Sequence, residues 1–106
     1  MAKLICDFTF DNEVYIVEAK LDGNHTIVGL AAHSNIGKPR ASDVHEQCAL
    51  IGTLLSSGLA FDYFETATKL GPLTMSIVAA CVRGRDQVIR SQRSAAEAKL
   101  LEGAPQ

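Results

Sequence analysis

Several features that would identify a functional class are scarce or missing in this chain of 106 residues. It has no tryptophan, and aromatic residues make up only 6% of it. Its apolar runs fall short of the roughly 18 residues that a membrane-spanning helix needs. The formal net charge is −2, so no overall basic field favours nucleic acid or an acidic membrane surface. The sequence therefore indicates no membrane partner and disfavours nucleic acid.

The cysteines are few and widely separated, at Cys6, Cys48 and Cys81. Their number is odd and no CxxC motif occurs, which disfavours a disulfide framework or a zinc site. We expect each to be a small buried hydrophobic residue. His45 lies three residues before Cys48 and leaves a metal site open as an alternative, although two ligands are too few for structural zinc. No cofactor or metal is predicted.

The composition is that of an ordinary globular chain, with 47% hydrophobic and 21% charged residues. We expect one domain over residues 1–102, followed by a flexible tail at residues 103–106. The amino-terminal residues lack the apolar region of a signal peptide, which predicts a cytoplasmic protein.

The first third of the chain predicts an antiparallel sheet of three strands. Apolar and β-branched residues favour strands over residues 3–10, 13–21 and 25–32. Asp11 and Asn12 tolerate the positive φ angles of a two-residue hairpin turn, and Gly23 lies in the next turn. The predicted fold class is α+β, a β-meander with two main helices packed on one face and a short connecting helix.

The longest helical pattern begins at Ser42, a good N-cap residue, and ends near Gly58, a good stop. Ala49, Gly52 and Ser56 form a strip of small residues along it. Glycine inside a helix costs up to about 1 kcal/mol relative to alanine, so we expect another backbone to approach closely at Gly52. A short helix around Asp62 should bury Phe61, Phe64 and Ala67. The last helix is predicted from Pro72 to about Leu101, with an end that frays or packs on a partner.

The second and third strands carry apolar residues at consecutive positions, which suggests that both faces of the sheet are buried. A chain of this length has few elements to cover the second face, and large exposed apolar patches are unusual on monomers. The sequence therefore predicts a homodimer or docking on a larger protein. The expected contact residues are Tyr15, Val17, Val28, Gly52 and Arg85.

An alternative function is binding of a phosphate-containing ligand or another small anion. Gly37, Lys38 and Arg40 lie in the loop before the main helix, and Ser42 follows at its start. Exposed amides at a helix N-terminus and two cations suit an anion. However, acidic residues in the first turn oppose it, and no P-loop motif is present.

Catalytic groups do not stand out. Ser42, Asp43, His45 and Glu46 are close in sequence, yet residues within one helical turn splay apart and do not form a nucleophile–base arrangement. No catalytic residue is predicted, and a non-enzymatic role is favoured.

Several short pieces follow the order of a known domain. They are Gly23-Asn24 in a turn, Gly37-Lys38 in a loop, Cys48-Ala49-Leu50 with Gly52, Ser57-Gly58, and Gly71-Pro72. In this order the chain resembles the TSCPD domain, a small α+β module found alone and near the C-terminus of cobalamin-dependent ribonucleotide reductases. The resemblance implies an accessory role, such as docking on a ribonucleotide reductase or another nucleotide enzyme.

The chain departs from that family at its cysteines. Ser42 stands where the loop cysteine is expected, and Leu70-Gly71-Pro72-Leu73 replaces the Ser-Cys-Pro-Asp box. Thiol or metal chemistry by the family's cysteines is therefore not implied here. What the resemblance carries over is the scaffold.

Overall fold

The computed structural model describes residues 2–66 and 69–102, which form a three-stranded antiparallel sheet and three helices. The α+β fold class is confirmed. Ala67 and the predicted tail at residues 103–106 lie outside the described residues. The elements are β1 (Ala2–Phe10), β2 (Glu13–Leu21), β3 (Ile27–Ala32), α1 (Ala41–Ser56), α2 (Phe61–Thr66) and α3 (Pro72–Glu102).

Local turn chemistry sets the strand boundaries. Asp11 and Asn12 have φ angles of 49° and 64°, as a two-residue type I′ turn requires, and they join β1 to β2 in unbroken register. The third strand starts two residues later than the sequence predicts. The Asp22 carboxylate accepts hydrogen bonds from the amides of Asn24 and Thr26, at 2.8 and 2.9 Å, and thereby holds the turn through residue 26.

The core lies between one face of the sheet and the helices. Along β2, Tyr15, Val17, Ala19 and Leu21 are buried, while the residues between them face the other side. Tyr15 and Val17 are 0% exposed, so the structure corrects their expected role as contacts on a second apolar face. The strict alternation of a strand assigns them to the core and turns Val14 and Ile16 outward.

The main helix begins two residues earlier than the sequence predicts. Arg40, not Ser42, is the N-cap residue; its side chain does not cap α1, and Ser42 is exposed. The Arg40 amide instead donates to the Tyr15 hydroxyl at 3.0 Å, which ties the start of α1 to β2. The predicted stop is confirmed: Gly58 has a φ of +101°, and its amide donates to the Leu55 carbonyl at 3.1 Å.

The expected close approach at Gly52 is also confirmed. A Cβ atom at this position would lie 3.2 Å from the carbonyl oxygen of Leu30. The His33 amide donates to the Ile16 carbonyl at 3.0 Å, so residues at odd positions of β3 bond to β2. Leu30 therefore directs its carbonyl towards the free edge of the sheet. It follows that α1 runs against this edge at Gly52.

The last helix is long enough to have two environments. It has 31 residues, about 46 Å at the usual helical rise. Its first half packs on β1 and buries Ile77 and Cys81. Every residue from Arg90 to Leu101 is exposed; Gln92 still hydrogen-bonds His25 at 2.7 Å, and the helix projects beyond the sheet after it. This projection contributes to the elongated dimensions of 58 × 31 × 24 Å.

Candidate interaction surface

The face of the sheet opposite the core, called the outer face below, is open in the part of the chain that is described. Its aliphatic side chains are substantially exposed: Ile5 by 53% and Val14 by 46%. Charged and small residues lie between them. The outer face consists of Lys3, Ile5, Asp7 and Thr9 of β1, Val14, Ile16, Glu18 and Lys20 of β2, and Gly29 and Ala31 of β3.

The strand register brings three of these aliphatic side chains together. Ile5 lies opposite Glu18, and Asp7 lies opposite Ile16, so Ile5 and Ile16 are diagonal neighbours on one face. Val14 is two residues before Ile16 and points the same way. The outer face is therefore a small aliphatic patch among charges, and less uniformly apolar than the sequence suggests.

A groove continues this face towards the edge of the sheet and is called the outer groove below. It has a volume of about 670 Å³. The small residues Gly29 and Ala31 belong to its sheet side, and the strip of Ala49, Gly52 and Ser56 on α1 forms its wall. It is lined by Glu18, Lys20, Val28, Gly29, Leu30, Ala31, Ala49, Gly52, Thr53 and Ser56.

Two of the expected contact residues belong to this groove. Val28 is 38% exposed and is available to a partner. Gly52 lines the groove as well, although its contact with the Leu30 carbonyl already explains the glycine by packing within the subunit. The sequence predicted that both residues lie at a surface. It did not indicate that β3 and α1 form this surface together.

Arg85 is paired with carboxylates of its own chain, and its expected role across an interface stays a prediction. Only 17% of its side chain is exposed, with Nη1 2.9 Å from Glu65 Oε1 and Nε 3.6 Å from Asp86 Oδ1. Arg85 and Asp86 also line a cavity of about 280 Å³, together with His25 and Asp62. Ionisable groups converge there, but two carboxylates already balance the guanidinium charge.

The loop expected to bind an anion has its cations engaged by carboxylates. Lys38 Nζ donates to the Val14 carbonyl at 2.6 Å and lies 3.8 Å from Glu13. Arg40 contacts Asp43 at 3.2 Å and Asp11 at 3.3 Å, and these hydrogen bonds raise its pKa. Gly37 has a positive φ of 80° in the loop. A phosphate would have to compete with three carboxylates for these two cations.

The residues considered for a metal site do not come together, because Cys48 is buried and His45 is exposed. Cys48 is 0% exposed, and burial raises the pKa of its thiol to about 12. His45 is exposed on another side of α1. Within residues 2–66 and 69–102, no group of three or more metal-ligating side chains is assembled. Asp43 was one of the residues considered for catalysis at the start of α1, and its carboxylate accepts a hydrogen bond from Arg40.

Sequence reasoning missed a buried polar residue that organises the open end of β2. Asn35 is 8% exposed; its Oδ1 accepts from the Ile16 amide at 2.7 Å, and its Nδ2 donates to the Ile16 carbonyl at 3.0 Å. The side chain thereby continues the pairing of β2 beyond the end of β3. An asparagine in a polar loop gives no periodic signal that distinguishes this role.

Sequence reasoning also treated the cysteines one by one. Cys6 of β1 and Cys81 of α3 are both buried in the core, where Cys81 lowers the pKa of the Cys6 thiol. A residue separation of 75 gives no local indication of this effect. This influence of one cysteine on the other requires the packing of α3 on β1.

Comparison of the chain with protein-family models, curated proteins and solved structures found no match. Across the described ranges, none of the helices is long and apolar enough to cross a membrane.

Proposed function

We propose that this protein is a non-catalytic accessory module that self-associates through its outer face and outer groove. The observation that carries the proposal is the aliphatic patch of exposed Ile5 and Val14 and half-buried Ile16, beside a groove with small side chains. The resemblance to the TSCPD domain suggests a wider setting, in which the assembled module docks on a ribonucleotide reductase or another nucleotide enzyme.

The surface area supports association with a second subunit. A compact monomer of 11.3 kDa exposes about 5,700 Å², whereas this chain exposes 7007 Å². Part of the excess belongs to the projecting half of α3. The difference of roughly 1,300 Å² is larger than the area of about 800 Å² that each partner contributes to a typical specific interface.

The chemistry of the surface suits a second copy of the same chain. Packed about a two-fold axis, the aliphatic patch would meet its own equivalent, as isologous interfaces require. Glu18 and Lys20 lie side by side at the outer groove, so each copy offers one charge of each sign for reciprocal pairing. The alternative of phosphate binding gains no such support, because Lys38 and Arg40 already contact carboxylates.

The test replaces an outer-face residue with a charge and measures the mass in solution. Ile5→Lys is suitable because Glu18 lies directly opposite and can pair with the new ammonium group, which preserves the strand. Leu50→Lys is a matched control, since Leu50 has the same exposure of 53% but does not line the outer groove.

We expect wild-type protein and Leu50→Lys to sediment as dimers and Ile5→Lys to shift towards monomer. Losing burial of a half-exposed isoleucine costs about 1 kcal/mol per subunit, or about 2 kcal/mol for a symmetric dimer. The dissociation constant should then rise by about 30-fold or more. A wild-type monomer at micromolar concentration, or equal weakening by both variants, would refute the proposal.

A further inference from the structure

We propose that two copies of this chain pair their β1 edges in antiparallel register, which joins the three strands of each copy into one continuous sheet. The two-fold axis of this contact passes between the two Ile5 residues and stands perpendicular to the sheet. Packing of two outer faces uses an axis within the plane of the sheet instead. The two contacts are therefore separate, and both can occur together in a closed tetramer.

One edge of β1 is free to pair. The strand order is β1-β2-β3, so β1 has a neighbour on only one side. Ile16 bonds towards β3, so Val17 beside it bonds towards β1 and its partner there, Cys6. The odd-numbered residues of β1 therefore direct their backbone groups to the free edge. Within residues 2–66 and 69–102, no backbone hydrogen bond joins them to a turn, loop or helix; they are Lys3, Ile5, Asp7 and Thr9.

The exposed side chains along this edge favour one register. With the axis at Ile5, the two isoleucines lie opposite each other, and Lys3 of each copy lies opposite the partner's Asp7. An axis at residue 3 or 7 would oppose like charges, and an axis at residue 4 or 6 would oppose Ile5 and a charge. In the described part of the chain, neither Lys3 nor Asp7 takes part in an ion pair. Both charges are therefore available to a second copy.

The same charges favour a second copy over an unrelated strand. A charged side chain on an edge strand opposes pairing with most other strands. It permits pairing with a strand that presents the opposite charge at the matching position. Because Lys3 and Asp7 lie at equal distances on either side of Ile5, the same sequence running in the opposite direction supplies both matches.

The surroundings of the edge leave room for a second strand. A cavity of about 350 Å³ is lined by Leu4 and Ile5 of β1 and, among others, by Gln87 of α3. Leu4 and Ile5 point to opposite faces of the sheet, so the cavity opens at the edge between them. A Cβ atom on Gly84 would lie 2.9 Å from Cys6 Sγ and 3.1 Å from Leu4 Cδ2. Because both side chains belong to the core side, α3 lies over the face of β1 and not beside its edge.

Engineered cysteines test the register. Opposed residues in the proposed pairing have Cα atoms about 5.5 Å apart, which is within disulfide range. Lys3→Cys mixed with Asp7→Cys should therefore give a covalent heterodimer under mild oxidation. Each variant alone should not cross-link, because the two copies of residue 3, or of residue 7, are offset by roughly 13 Å along the strands.

A matched control separates edge pairing from random collision. Lys20 is also an exposed outer-face lysine, but it lies opposite Lys3 on β2, one strand further from the edge. Lys20→Cys mixed with Asp7→Cys should give no covalent heterodimer. The three native cysteines are buried, and wild-type protein measures their background.

Exchange of the two charges tests the ion pairs without the outer-face contact. Val14→Lys places a charge in the aliphatic patch on β2, away from the β1 edge. In this background, Lys3→Asp and Asp7→Lys should each raise the dissociation constant about tenfold, because each opposes two pairs of like charges. The variant with both changes should return to the value of the Val14→Lys parent. Sedimentation at submillimolar concentration is the assay, since edge pairing buries less apolar surface than the outer face.

Amide hydrogen exchange, followed by NMR, distinguishes edge pairing from packing of outer faces. The Ile5 and Asp7 amides should exchange rapidly in dilute protein and become protected as the concentration rises, because edge pairing gives them acceptors. Rapid exchange at every concentration, absence of the Lys3→Cys and Asp7→Cys cross-link, or failure of the double exchange to restore association would each overturn the proposal. Protection only by an added extended peptide would also overturn it, and would assign the edge to another protein. Dimers that form without any of these signs would leave the outer-face contact standing alone.

Discussion

Asn35 offers a sharp test of how the open end of β2 is held. Its side-chain amide accepts from the Ile16 amide and donates to the Ile16 carbonyl while only 8% exposed. Asn35→Ala removes both bonds. The Ile16 carbonyl keeps its bond from the His33 amide, but the Ile16 amide loses its acceptor in a site that water reaches poorly.

The expected cost follows from these two bonds. A net hydrogen bond contributes about 1 kcal/mol, and a buried donor left unsatisfied costs about 1–3 kcal/mol. We therefore expect Asn35→Ala to lower the free energy of unfolding by about 2 kcal/mol, and the melting temperature by roughly 10 °C for a domain of this size.

Asn35→Asp adds a dependence on pH. A carboxylate can still accept from the Ile16 amide, but it sets a negatively charged oxygen against the Ile16 carbonyl. The protonated carboxyl keeps a donor, so folding favours it and raises its pKa above the unfolded value of about 3.9. The penalty is therefore absent below that unfolded value and develops as pH rises through the folded pKa.

The assay is urea unfolding of wild type and both variants at pH 4 and pH 7, with unchanged m-values as the condition for comparison. The deficit of Asn35→Asp relative to wild type should be larger at pH 7 than at pH 4, and that of Asn35→Ala should be the same at both. If Asn35→Asp matches wild type at pH 7, the amide does not donate to Ile16 and the assigned geometry is incorrect.

Two further predictions concern a backbone angle and a buried thiol. Gly58→Ala should destabilise the protein by about 1 kcal/mol in thermal unfolding because its φ is +101°, whereas Gly71→Ala should have little effect; equal effects would mean that the angle is unimportant. Cys48 in folded protein at pH 8 should be alkylated about a thousandfold more slowly than in urea, since its pKa is raised from 9.0 to about 12; equal rates would contradict its burial.

The fold followed from local chemistry where single residues have strong preferences. Asp11 and Asn12 predicted a tight hairpin, and Gly58 predicted the end of a helix, because few residues accept positive φ. Gly52 predicted a backbone contact because a helix accepts glycine only at a cost. These inferences hold because the relevant energies act within a few residues.

The less accurate predictions depend on contacts distant in sequence. Tyr15 and Val17 could not be separated from Val14 and Ile16, because all four are apolar and only packing decides which face is inside. Ser42 has good capping chemistry, but the contact between the Arg40 amide and the Tyr15 hydroxyl fixes the start of α1 elsewhere. The sequence predicted that one face of the sheet would be apolar and left uncovered by the rest of the chain. Which residues form that face could be identified only from the register of the strands.

The contact of Gly52 with the Leu30 carbonyl bears on how large an assembly can become. A sheet with two exposed edge strands can pair with further strands at both edges and grow into a fibre. Here α1 covers the middle of the β3 edge, and β1, the other edge strand, carries Lys3 and Asp7. Edge-to-edge pairing would therefore stop once the β1 edges of two subunits had paired. By allowing α1 to cover the β3 edge, Gly52 favours a finite particle over a polymer.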